Sequence, residues 1–290
     1  MTSPWTPERT LTIDEARALA GRHVPARTLV RLGSGWDNDA WLVDGEWVFR
    51  FPRRAFAVPF LEREIAVLPA LAPLLPLPIT NPEHAGRDEQ GWPYAGYRFT
   101  RGRIMATADD EPDVIAGATL GRFVRALHEV RGLAARLGGD TLKKVDVRAR
   151  LEPTLALARA AGVALPQAII DAALAVPTAG RLRVVTHGDL DGRHVLVDAG
   201  VVTGIIDWGD VHLGDPATDL ALAWSALDGD ARRAFLEAYG EVPGGDDTLA
   251  LARFRALHVA LHVVSWATDI ADADALRGGR RAIERALAAV

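Results

Sequence analysis

Acids and histidines gather in one stretch of the chain, THGDLDGRHVLVDAGVVTGIIDWGD, from Thr186 to Asp210. Asp189 and His194 stand five positions apart across a short loop, and Asp207 follows a hairpin pattern that begins just after His194. A hairpin returns on itself, so the three side chains can converge. A carboxylate that orients a hydroxyl and accepts its proton, beside an acid–imidazole pair that holds a divalent cation, is the residue set phosphoryl transfer requires. Positioning and charge neutralisation supply most of the gain in that chemistry. Asp189 is the expected base, and His194 with Asp207 the expected metal ligands. Mg2+ is the expected cation, and imidazole is a softer donor to it than carboxylate. His187, next to this loop, is expected to prop it, and Asp215 and Asp219 to cap and brace helix starts.

Several elements must position these groups. Thr12 to Arg22 carries a Thr cap, early acids and spaced apolar residues, which predicts a short first helix. From Thr28 to Pro52, β-branched and aromatic runs are separated by Gly-rich and Asp-Gly turns, which predicts a three-stranded meander. Phe60 to Ala72 returns to helical spacing, with Pro69 expected to end or bend the helix early. Trp92 to Thr100 reads as a strand, and Arg101-Gly102 breaks it. After Pro112, the apolar positions Ala116, Leu120, Phe123, Leu127 and Val130 mark one face of a long helix. Helices then fill the remainder, except between Leu182 and Asp207, where three short β-rich runs predict a small β island with a turn at Asp198-Ala199-Gly200. The expected class is α+β: an antiparallel β-sheet lobe with a helix over residues 1–100, then a mainly helical lobe with small β-hairpins over residues 101–290.

Two paired motifs resemble those of the aminoglycoside and macrolide phosphotransferase family, whose fold is similar to that of protein kinases. The first is His187, Gly188, Asp189, Leu190, three residues, then His194. The second is Ile206, Asp207, Trp208 followed by Asp215, Pro216, Ala217, Thr218 and Asp219. Histidine at position 194 and the Gly214-to-Asp219 run look like the macrolide members. The resemblance implies a bilobal protein-kinase-like fold and a kinase moving the γ-phosphate of ATP or GTP onto a hydroxyl of an antibiotic, a macrolide ahead of an aminoglycoside. Kinases of a primary metabolite, such as an amino alcohol or sugar, and a pseudokinase or antibiotic-binding module without turnover stay open as alternatives.

The same resemblance implies that the first lobe holds the nucleotide. Gly33-Ser34-Gly35 lies between strands, where backbone amides can close over phosphates without side-chain obstruction. Arg50 occupies the position of the family's phosphate-gripping Lys, with Glu64 as its partner, and arginine keeps the charge on a larger, fork-shaped head. Backbone from Phe99 to Arg101 is expected to meet the base. Acceptor contacts are expected from Asp210, Trp224, Asp228, Tyr239, His262 and Trp266, either as carboxylates for ammonium groups or as aromatic faces for a larger apolar ring.

Composition limits the rest. Formal net charge is −5, which argues against nucleic acid as a partner. No cysteine is present, so disulfides and thiolate chemistry are excluded, which fits a reducing compartment. The N-terminal residues lack an apolar signal-peptide core, and no apolar run reaches membrane-spanning length. A cytoplasmic protein, monomeric or weakly dimeric, is expected.

Overall fold

The computed structural model describes residues 6–34, 37–107, 111–133 and 136–288. The chain divides into two compact units, Met1–Pro73 with Ile79–Thr100, and Leu74–Pro78 with Arg101–Val290.

The first unit opens on helix α1 (Ile13–Ala20), fixed by a capping box in which Thr12 and Glu15 satisfy each other's backbone amides. Strands β1 (Leu29–Ser34), β2 (Asn38–Val43) and β3 (Trp47–Pro52) form the meander read from the sequence. The β2–β3 turn uses Asp44 and Gly45 in the left-handed region, and the Asp44 carboxylate accepts the Thr28 N–H at 2.7 Å. Helix α2 (Val58–Leu71) runs two residues beyond Pro69 rather than ending there. A proline near the last turn forfeits one backbone bond, and burial of Leu68 and Leu71 outweighs that loss.

Strands β4 (Pro82–Arg87) and β5 (Pro93–Arg98) complete an antiparallel sheet in the order β1-β2-β3-β5-β4. Sequence reading missed β4, whose Pro82, Gly86 and charged residues suit a half-exposed edge strand. Alternation along β2 and β3 sends Trp41, Val43, Trp47, Phe49 and Phe51 into one core with α1. The opposite face of β3 and β5 meets α2, where Leu61, Ala95 and Tyr97 pack.

In the second unit, β6 (Arg103–Ile104) is followed by α3 (Val114–Glu129), which is capped by Asp113 through the Ala116 N–H at 2.8 Å. Helices α4 (Val147–Ala160) and α5 (Gln167–Ala175) precede β7 (Val184–Thr186), β8 (Val195–Asp198), β9 (Val201–Ile205) and β10 (His212–Gly214). The expected single β island is two separate sheets. β7 pairs with β10, and β8 pairs with β9 and β6. β10 is three residues long, too short for a periodic signal.

Helices α6 (Ala217–Leu220), α7 (Leu222–Ser225), α8 (Gly229–Tyr239), α9 (Gly245–Asp269) and α10 (Ala273–Leu287) finish the unit. α9 is its spine, packing against α4, α5, α6, α7 and α10. No helix among the described residues is long and apolar enough to cross a membrane.

Candidate active site

The 187–194 loop leaves β7 and enters β8, so its two ends belong to different sheets and its path is set by what grips it between. Gly188 sits at φ +91°, and a Cβ there would lie 2.2 Å from the Asp210 carbonyl oxygen, so only glycine fits. The fully buried Asp219 carboxylate accepts the His187 N–H at 2.7 Å and the Gly188 N–H at 3.0 Å. Burial alone would raise this acid, but the His128 hydrogen bond and the backbone donors hold it below its ordinary value. His128 bridges onward, 3.3 Å from Asp219 and 2.9 Å from the Tyr239 hydroxyl. Asp219 thus braces the loop, where the sequence suggested a helix start. Asp215 does accept the N–H of Ala217 at the start of α6, at 2.9 Å.

His187 lies under the loop. Its Nδ1 accepts the Asp189 N–H at 3.3 Å and its Nε2–H donates to the Ile206 carbonyl at 3.0 Å. Those two bonds fix one neutral tautomer, and burial lowers the tendency of the ring to charge. The loop is thereby tied to the residue before Asp207.

His194 Nδ1 lies 2.6 Å from the carbonyl oxygen of Asp189, so it must carry the proton and donate it. The lone pair is left on Nε2, which is 3.6 Å from the Asp207 carboxylate. Asp207 itself takes a left-handed backbone, φ +65°, just past the end of β9. Among the described residues no group of three or more His, Asp or Glu side chains gathers closely enough to hold a metal alone. An imidazole lone pair and a carboxylate oxygen facing each other nevertheless fit a hard divalent cation that completes its shell with phosphate and water oxygens.

The Asp189 carboxylate is ringed by cations. Arg255 Nη2 lies 3.3 Å from one oxygen and Arg193 Nη2 3.4 Å from the other. Burial pushes this carboxyl up, but Lys144, Arg193 and Arg255 hold it well below the usual carboxylate range. Arg193 also grips Asp191 at 2.6 Å, and Lys144 Nζ pairs with Asp210 at 2.9 Å. Buried Arg255 donates to the carbonyls of Gly188 at 2.9 Å, Lys144 at 3.3 Å and Thr218 at 3.3 Å. Sequence reading missed Lys144, Arg193 and Arg255 in these roles. Arg193 was within reach, being four residues from Asp189, whereas Lys144 and Arg255 lie 45 and 66 residues away and carry no local signal.

In the first unit, Arg50 makes a two-pronged ion pair with Glu64, 2.9 and 3.2 Å, and the Tyr97 hydroxyl donates to Glu64 at 2.6 Å. Gly33 and Ser34 belong to β1, not to the turn, and a Cβ at Gly33 would meet open space. Gly35 lies outside the described residues. The Phe99 N–H donates to the Glu46 carbonyl at 2.8 Å, so the strand claims the amide expected to meet a base. In the second unit the Arg101 carbonyl accepts the Thr203 hydroxyl at 2.7 Å.

The acceptor candidates divide. Trp224 and Tyr239 are each 2% exposed core side chains, because α7 and α8 turn those faces inward. Asp228 precedes α8 and faces Arg285 at 3.6 Å, and Asp210 is taken by Lys144. His262 and Trp266 are partly exposed one turn apart on α9, on the stripe that begins at Arg255.

Residues 28–257 match the phosphotransferase enzyme family. This chain belongs to that family. Its fold matches the GDP and kanamycin complex of APH(2")-IIia, with a TM-score of 0.68 and 23% identity over 91% of this chain and 94% of that one. It likewise matches the macrolide 2'-phosphotransferase MphH from Brachybacterium faecium, with a TM-score of 0.64 and 24% identity over 94% of this chain and 98% of that one. Among curated proteins, the uncharacterized protein YcbJ of Bacillus subtilis (strain 168) is 40% identical over 60 residues. That match spans 20% of this chain and 19% of the relative's length. The two-unit architecture is therefore the protein-kinase-like fold of these phosphotransferases.

Proposed function

We propose that this phosphotransferase moves the γ-phosphate of ATP or GTP onto a hydroxyl of a small molecule, with Asp189 orienting the hydroxyl and taking its proton. The arrangement of His194, donating to the Asp189 backbone while its free nitrogen faces Asp207, is the observation that carries this reading. A Mg2+ ion held by His194 and Asp207 would neutralise phosphate charge when bound, and Mn2+ would serve in its place. Arg50, fixed by Glu64, is the candidate phosphate grip. Because Asp189 is so weakly basic amid its cations, it orients the hydroxyl in the ground state and accepts the proton only as the oxygen–phosphorus bond forms.

For the acceptor, a macrolide is favoured over an aminoglycoside. Polycationic acceptors call for free carboxylates, yet Asp191, Asp210 and Asp230 are each held by a cation of the fold and Asp228 faces one, which leaves the exposed Glu237 and Asp269 to meet ammonium groups. The partly exposed stripe of α9 offers aromatic His262 and Trp266. His262 is kept from charging by burial and by Arg150, so this face suits an apolar ring bearing few charges. Antibiotic resistance would follow from phosphorylating such a compound.

Macrolides, aminoglycosides and simple amino alcohols or sugars, each offered with ATP and with GTP, test the reading by a mass gain of one phosphoryl group. A gain on macrolides alone is expected. A gain only on aminoglycosides would overturn the acceptor, and one only on a primary metabolite would move the enzyme out of resistance altogether. Arg50 in place of lysine favours a second reading, a nucleotide-dependent binding module. No transfer to any acceptor, with nucleotide still bound, is the result that reading requires.

A further inference from the structure

A cavity of about 630 Å3 opens within the second unit, among the 139–148 segment, the end of α5 with residues 176–183, and β10. Asp189, His194 and Asp207 do not line it. Its volume lies in the range that takes small organic ligands. Apolar side chains, among them Val145, Val176, Leu213 and Leu251, make part of the wall.

Charge around this cavity is unevenly committed. Its three acids are used by the fold: Asp215 is ion-paired with Arg181, Asp140 accepts the N–H groups of Leu142 and Lys144, and Asp146 caps α4 through Ala149. Of the four cations, Arg181 is held by Asp215. Lys143, Arg148 and Arg183 face no carboxylate among the described residues. Exposed cations are ordinarily just solvated, but Arg183 is placed rather than free. It donates to the Leu213 carbonyl at 2.9 Å, and a Cβ on Gly139 would lie 2.4 Å from its Nη2, so the end of the guanidinium abuts that glycine. Counted in full, the lining carries four cations against three carboxylates, and with Asp215 taken by Arg181 and the other two acids turned to backbone N–H groups, the surplus positive charge lies on the side of Lys143, Arg148 and Arg183, where an anion would be met.

We infer that this cavity binds a small organic phosphate or carboxylate whose charge meets Lys143, Arg148 and Arg183 and whose apolar body fills the wall behind them. The site is separate from the transfer chemistry and does not depend on the acceptor proposed above.

Calorimetric titration of the 290-residue chain with phenyl phosphate and with benzoate, under saturating ADP and GDP so that the nucleotide's phosphate contacts are filled by whichever is bound, tests the inference. One-to-one binding of at least one of the two anions is expected, weakened by added salt, and which of them binds tells phosphate from carboxylate. In the Arg148→Glu, Arg183→Glu double variant, binding should weaken at least about tenfold while circular dichroism stays unchanged. Gly139→Ala, which displaces the Arg183 head without altering charge, should also weaken it. Benzyl alcohol and inorganic phosphate should both bind more weakly than the anion with a ring. No binding of either aromatic anion, equal binding of benzyl alcohol or inorganic phosphate, or affinity unchanged in both variants would overturn it.

Discussion

At the scale of residues, the site is organised by cations placed around one carboxylate. Asp189→Asn keeps the shape of the side chain but removes the proposed proton acceptor. Turnover is expected to fall about 10²- to 10⁴-fold with nucleotide affinity unchanged, as measured by steady-state kinetics beside a binding titration. Arg255 is a different case, since it joins the carbonyls of Lys144, Gly188 and Thr218 to the Asp189 carboxylate. Arg255→Gln leaves buried acceptors without donors, and a stability loss of about 3 kcal/mol is expected in denaturant unfolding, with lower turnover. Arg255→Lys should restore part of the stability, because the charge returns without the fork. Stability equal to the parent in Arg255→Gln would show that water replaces the guanidinium without cost.

The element scale is governed by a close helix crossing. Gly117 and Gly121, one turn apart on α3, lie against the backbone of α8. A Cβ at either would come within 2.1 Å of the Ala231 carbonyl oxygen or 2.2 Å of that of Phe235. Gly121→Ala gains up to about 1 kcal/mol of helix propensity but must push the two helices apart. A net destabilisation of about 2 kcal/mol is expected, and a melting temperature equal to or above the parent's would show that α8 shifts freely. The spacing of α3 was legible because its apolar positions recur along one face. The reason for its glycines was not, because the helix they touch comes more than a hundred residues later. Strand β4 was hidden for a local reason, as its composition is that of a turn until β5 pairs with it.

Across the whole molecule, several histidines are held neutral by burial: His187, His212, His258 and His262. His258 is lowered to about 3, first by desolvation and then by His262, Arg150 and Arg255, and its ring meets the Thr154 hydroxyl at 2.8 Å. A folded-state value below the unfolded one means that the unfolded chain binds the proton more readily. The stability this group contributes is therefore complete above about pH 6.5 and is lost as pH falls toward 3. Between pH 6.5 and 5 the loss from His258 alone is about 2 kcal/mol. Urea unfolding across that range should show stability falling with acid, and His258→Asn should flatten the slope. A slope identical in the variant would remove His258 as a cause.

By itself the sequence determined most of the order of elements, the family and the stretch from His187 to Asp207 that carries the candidate residues, because periodicity, turn residues and closely spaced motifs are local properties. It also paired Arg50 with Glu64 through the family pattern, and the structure joins them by two hydrogen bonds. Tertiary structure alone decided that Asp219 grips the loop, that Lys144 and Arg255 are brought near Asp189, and that Trp224 and Tyr239 are core. Each of those outcomes depends on segments distant in the chain meeting in space, and contact at that range leaves no spacing for a sequence to display.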